Sequence, residues 1–142
     1  MAKPRIIFMG TPPFALPALE TLGNGNYAVA AVVTQPDRPA GRGRRDASPP
    51  VKQLAVKLGL EVLQPVKVRD ASFLEEFYQL NPDMVVVTAF GQILPKEIID
   101  FPRFGCLNIH PSLLPKYRGA APLNWSIIRG ETKTGVTIML MD

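Results

Sequence analysis

The sequence predicts a doubly wound α/β domain built on a mostly parallel sheet. Two observations carry that expectation. Segments of strand character alternate with segments of helical character along the whole chain, and the strand segments "RIIFMG" and "DMVVVTAF" hold runs of consecutive apolar residues rather than alternate ones. Continuous apolar runs suit strands covered on both faces, and strands separated by helices are joined by crossovers that leave them parallel.

Taken in order, "RIIFMG" reads as a buried strand, "PPFALPALETL" as a helix opened by proline, and "YAVAAVVT" as a second strand. In "QPDRPAGRGRRDASPP" glycines and prolines oppose a helix and no apolar periodicity offers a core face, so a mobile basic loop is expected there. "PPVKQLAVKLG" reads as a helix with a glycine stop, "LEVLQP" as a short strand, and "ASFLEEFYQLN" as an amphipathic helix that ends before Pro82. "DMVVVTAF" is an apolar strand, "PKEIID" a short helix and "CLNIHP" a strand. "APLNWSIIRG" is a helix that packs Trp125, Ile127 and Ile128 on the sheet, and "GVTIMLMD" is a last strand. No repeat or linker interrupts the series, so one domain is expected, with its functional loops beyond the carboxyl ends of the strands.

Composition removes several classes. The chain has 142 residues, of which 46% are hydrophobic, enough for a globular core. Its longest apolar stretches fall far short of the ~20 residues a membrane helix needs, and the start "MAKPRIIFMGTPPF" has no apolar signal block, so a cytoplasmic protein is expected. One cysteine, Cys106, and one histidine, His110, give neither an internal disulfide nor a metal cluster. The turn "MGTPPF" lacks the G-x-G-x-x-G of a dinucleotide site, and neither a G-x-x-x-x-G-K-[ST] loop nor a G-x-S-x-G elbow occurs, which disfavours dehydrogenases, P-loop NTPases and serine hydrolases. The net charge is +4, and Arg38, Arg42, Arg44 and Arg45 concentrate part of it in the glycine- and proline-rich segment. Two readings of that segment stay open from composition: a solvated loop, or an arm that binds phosphate through guanidinium groups.

The segment "LNIHPSLLPKYRGAAPLNW" contains the lone histidine two residues after an asparagine. In a strand, residues two apart share a face, so Cys106, Asn108 and His110 project together while Leu107 and Ile109 point the other way. Cys106 and His110 lie about 13 Å apart along such a strand, too far for a thiol and its base. Asn108 and His110 lie about 6.6 Å apart, a spacing that lets both heads converge on one substrate atom. An amide N–H and a protonated imidazole can donate to an oxygen that becomes negative in acyl transfer, and the imidazole can shuttle the proton lost by an attacking amine. The competing reading is a buried histidine satisfied by the backbone.

The segments "FMGTPPFALPALETL", "VVTQPDRPAGRGRR", "VVVTAFGQILP" and "GCLNIHPSLLPKYRGAAPLNWSIIRGETKTGVTIM" together resemble the amino-terminal part of the methionyl-tRNA formyltransferase family, over essentially the whole chain. The resemblance implies a Rossmann-like formyltransferase fold, truncated, and transfer of a formyl group from 10-formyltetrahydrofolate to the amino group of methionine on charged initiator methionyl-tRNA. It implies that Asn108 and His110 are catalytic. Ser112, Leu113, Leu114 and Pro115 match the family's folate-binding segment, and Phe90, Gly91, Gln92, Ile93 and Leu94 match the loop lining the pterin and formyl site, largely through backbone groups. Arg38, Arg42, Arg44 and Arg45 match an insertion that approaches the acceptor stem of tRNA. No metal, no membrane and a monomer are expected.

The family's third catalytic residue, an aspartate that orients the histidine, would fall beyond Asp142. Residues 1–142 are accordingly expected to be an incomplete formyltransferase domain, without the carboxyl-terminal barrel that grips tRNA, and to be inactive or nearly so. The rivals are a folate-dependent formyltransferase acting on glycinamide ribonucleotide or an amino-sugar nucleotide, and a noncatalytic module that binds folate or RNA.

Overall fold

The computed structural model describes residues 3–40, 45–110 and 137–142. Strand β1 spans Arg5–Gly10; a single 3-10 turn over Pro13–Ala15 leads into helix α1, Leu16–Asn24. Strand β2 spans Ala28–Val33, followed by two short strands, β3 (Arg38–Ala40) and β4 (Arg45–Ala47). Helix α2 (Pro50–Lys57), strand β5 (Val62–Leu63), helix α3 (Ala71–Leu80), strand β6 (Met84–Thr88) and helix α4 (Lys96–Asp100) follow, then strands β7 (Cys106–His110) and β8 (Thr137–Met141).

Among the described residues the main sheet has six strands in the order β5-β2-β1-β6-β7-β8. Every neighbouring pair is parallel except β7 and β8, which run antiparallel with His110 opposite Thr137. The doubly wound, mostly parallel α/β fold is therefore present. Helices α1 and α2 cover one face of the sheet over Ile6, Phe8, Val32 and Val86; the other face packs Ile7, Met9, Val85 and Val87 against the phenylalanines of α3 and Ile98 of α4. Coverage of both faces explains why consecutive residues of β1, Ile7, Phe8 and Met9, are all fully buried.

Local chemistry sets the boundaries. Helix α3 buries Phe73 and Phe77 four residues apart and stops at Asn81, whose left-handed φ of 49° lets its N–H reach the Tyr78 carbonyl. Strand β1 ends on a glycine because a Cβ on Gly10 would stand 2.8 Å from the Thr88 carbonyl oxygen and 2.9 Å from the Ala15 side chain. The first helix differs from the expected one: the proline-rich "PPFA" makes a 3-10 turn before α1 begins at Leu16.

The basic segment is the larger correction. Where a loop without structure was expected, β3 and β4 pair antiparallel, Arg38 with Ala47 and Ala40 with Arg45, as a two-stranded ribbon. Pro39 stands opposite Asp46 in this ribbon, and a two-stranded ribbon, whose strands are both edges, is where a strand proline is tolerated. The helix expected over "APLNWSIIRG" lies outside the described residues.

Candidate active site at the carboxyl edge of the sheet

The chain winds outward from β1 to β2 and β5, then returns to the other side of β1 to build β6, β7 and β8. Connections leaving the carboxyl ends of β1 and β6 therefore diverge, and a crevice opens between them. A cavity of about 620 Å³ lies there, lined by Thr11 after β1, Gln35 after β2, Arg38 and Ser48 at the base of the ribbon, and Phe90 and Gly91 after β6.

Strand β7 carries the asparagine and the histidine. Asn108 is in register with Val87 and Cys106 with Val85, residues of the face covered by α3 and α4, while Ile109 packs with Ile6 and Phe8 on the opposite face. The alternation is the expected one: Cys106, Asn108 and His110 share a side, and Leu107 and Ile109 share the other. Cys106 is fully buried, and burial pushes its thiol up from 9.0 to about 12, so no thiolate forms there at neutral pH. Asn108 and His110, nearer the carboxyl edge, are only half-buried.

The loop after β6 turns toward that same face. Phe90 and Leu94 are buried in the layer that holds Cys106 and Val87, whereas Ile93 is 94% exposed. The loop bends sharply, with φ of 52° at Ala89 and 104° at Gly91. The Gln92 side chain turns back into the scaffold: its amide N–H donates to the Gln35 side-chain oxygen at 2.8 Å and the Val66 carbonyl at 3.1 Å, and its oxygen accepts from the Val68 N–H at 2.9 Å. Any ligand contact from Gln92 is thereby left to its backbone.

At the base of the ribbon, Asp37 accepts hydrogen bonds from Gln64 at 2.7 Å and from Lys52 at 3.0 Å. The Gln64 hydrogen bond first, and Lys52 second, hold its carboxyl below the usual range. Arg38 is exposed and lines the cavity. Arg45 lies in β4, while Arg42 and Arg44 fall outside the described residues, as do Ser112, Leu113, Leu114 and Pro115.

Two residues that sequence reasoning passed over stand at the crevice. The Thr11 hydroxyl donates to the Phe90 carbonyl at 2.6 Å, and the Gln35 amide donates to the Gly91 carbonyl at 3.1 Å. Their signal was positional: a hydroxyl and an amide immediately follow the two apolar strands "RIIFMG" and "AVAAVVT". Among the described residues, Thr88 at the end of β6 has a buried hydroxyl with no hydrogen-bond partner. No group of three His, Cys, Asp or Glu among the described residues could hold a metal, and no described helix is long and apolar enough to cross a membrane.

The fold is that of a doubly wound α/β protein with a crevice at the point where the winding reverses; Asn108 and His110 stand on β7 and are not among the residues lining that cavity. Residues 4–142 match the family described as formyl transferase, and the chain belongs to that family. It is 61% identical over 142 residues to the methionyl-tRNA formyltransferase of Syntrophus aciditrophicus, covering 100% of this chain and 46% of that protein. It is likewise 61% identical over 142 residues to the methionyl-tRNA formyltransferase of Citrifermentans bemidjiense, covering 100% of this chain and 45% of that one. The chain thus spans about half the length of the curated relatives it matches. Among solved structures, the phosphoribosylglycinamide formyltransferase of Anaplasma phagocytophilum superposes with a TM-score of 0.73 at 19% identity, over 99% of this chain and 65% of that one, a likeness of fold.

Proposed function

We propose that this chain carries part of the catalytic machinery for moving the formyl group of 10-formyltetrahydrofolate onto the amino group of methionine charged on initiator tRNA. The observation that carries the reading is the placement of Asn108 and His110. They sit side by side on one face of β7, at its carboxyl edge, half-buried and beside the layer entered by the Phe90–Leu94 loop.

In this reading the Asn108 amide donates to the formyl oxygen while the neutral methionyl nitrogen adds to the formyl carbon. Neutral His110 accepts the proton that the nitrogen loses, donates as the resulting imidazolium to the oxyanion, and passes the proton to the folate nitrogen as the old carbon–nitrogen bond breaks. The products are formylmethionyl-tRNA and tetrahydrofolate, and no protein nucleophile is consumed, which agrees with the neutral thiol of Cys106. The donor rests against the backbone of Phe90, Gly91, Gln92, Ile93 and Leu94, and against Ser112, Leu113, Leu114 and Pro115. The basic segment, through Arg38, Arg42, Arg44 and Arg45, holds phosphates of the acceptor stem.

The test is steady-state formylation of methionyl-tRNA by the full-length protein and its Asn108→Ala and His110→Ala variants. Each substitution is expected to lower kcat by about 10²–10³, the usual loss for one oxyanion donor, with the melting temperature retained. Near-wild-type turnover in both variants rejects the mechanism. Unchanged use of methionyl-tRNA after replacement of the four arginines would instead favour a small amine acceptor.

A further inference from the structure

The turn after β6 is held in a conformation that its own sequence does not favour. Ala89 has a φ of 52°, in the left-handed region that an alanine side chain opposes, and Gly91 follows at 104°. Its surroundings over-determine it. Thr11, from the end of β1, donates its hydroxyl to the Phe90 carbonyl at 2.6 Å, and Gln35, from the end of β2, donates its amide to the Gly91 carbonyl at 3.1 Å. Gln92 then locks Gln35 by donating to its side-chain oxygen at 2.8 Å, and is itself anchored on Pro65, Val66 and Val68. A Cβ on Gly91 would stand 2.7 Å from the Gln35 amide nitrogen, so the glycine is required for that contact as well as for its φ.

The strand order gives the clamp a direction. β1 and β2 lie on one side of β6 and β7 lies on the other. The carbonyls of Phe90 and Gly91 are drawn toward the β1 and β2 side. In a planar trans peptide the N–H points opposite to the carbonyl, so the N–H groups of Gly91 and Gln92 point toward the β7 side. That is the side on which Asn108 and His110 stand.

We propose that Thr11, Gln35 and Gln92 are positioning residues: together they aim the Gly91 and Gln92 N–H groups at the formyl donor, as a fixed pair for one of its carbonyl-type acceptor atoms, beside Asn108 and His110. The proposal rests on the functional reading above. It assigns to three side chains a role in donor binding that acts wholly through the backbone they hold.

The experiment measures KM for 10-formyltetrahydrofolate and for methionyl-tRNA separately in the full-length protein, with Thr11→Val, Thr11→Ser and Gln35→Ala. Thr11→Val and Gln35→Ala are expected to raise the donor KM about tenfold, the equivalent of one hydrogen bond, and to leave the methionyl-tRNA KM within twofold. Thr11→Ser, which keeps the hydroxyl, restores the donor KM. Gln35 is partly exposed and its truncation leaves the core intact, so the measurement stands even if Thr11→Val fails to fold. A donor KM within twofold of wild type in Gln35→Ala, or an equal rise in both KM values, overturns the proposal. Failure of the functional reading looks different: Asn108→Ala and His110→Ala would then retain turnover, whatever the clamp variants do.

Discussion

Cys106 and His110 illustrate how four residues along one strand separate two chemistries. The thiol sits inside the α3 and α4 layer, 3.6 Å from the Met141 sulfur, with its ionisation pushed up to about 12 by burial. The native thiol is therefore expected to resist iodoacetamide at pH 8 and to react on unfolding, as mass spectrometry of alkylated samples will show. The sign of the pH effect follows. Because the folded thiol holds its proton above 9.0 and the unfolded one does not, its stabilising effect is complete below pH 9 and is lost as pH rises toward 12. Urea midpoints taken across that range check it. The shared side of Asn108 and His110 was legible because strand alternation is a property of the backbone alone. The roles of Thr11 and Gln35 were not, because each acts on a carbonyl of a loop more than 50 positions away: 79 residues for Thr11 and 56 for Gln35.

At the scale of elements, helix α3 shows a pattern that sequence periodicity captures well. Phe77 is fully buried and meets Phe73, Tyr78 and Phe101 within ring-centroid distances of 5.7–6.5 Å. Replacement by alanine is expected to cost about 3–5 kcal/mol in urea unfolding, the range for a large buried aromatic. At the helix end, Asn81→Val is expected to destabilise by about 1–2 kcal/mol because a β-branched residue opposes the left-handed φ, whereas Asn81→Gly is tolerated. Differential scanning calorimetry of both variants separates the two outcomes. The basic segment is the element that local reasoning misread. Glycine and proline punctuation correctly excluded a helix, but the cross-strand pairing of Arg38–Ala40 with Arg45–Ala47 is a contact between segments and leaves no local periodicity.

Across the whole molecule, the ribbon and the loop after β6 border one cavity from different sides, and the Asp37–Lys52–Gln64 network anchors the ribbon at its base. In the proposed function this arrangement brings phosphate recognition and formyl transfer to the same edge of the sheet. Binding of methionyl-tRNA should then weaken with salt, and replacing Arg38, Arg42, Arg44 and Arg45 by alanine should flatten the log–log salt slope by about 3–4 if each neutralises one phosphate. Filter-binding titrations between low and physiological salt measure that slope. An unchanged slope would remove the ribbon from the interface.

The sequence by itself determined the fold class, the alternation of elements, the two-sided burial of the central strands, and the common face of Asn108 and His110. All of these follow from apolar periodicity and backbone geometry within single segments. The tertiary structure decided what lies beside that face: the reversal of winding between β1 and β6 that opens the crevice, the pairing that turns the basic segment into a ribbon, and the hydrogen bonds from Thr11, Gln35 and Gln92 that hold an unfavourable turn. These depend on contacts between residues far apart in the chain. Their free energy exists only once the sheet has brought the strand ends together, so a window of local sequence shows at most that a hydroxyl or an amide follows a strand, and not the distant carbonyl it meets.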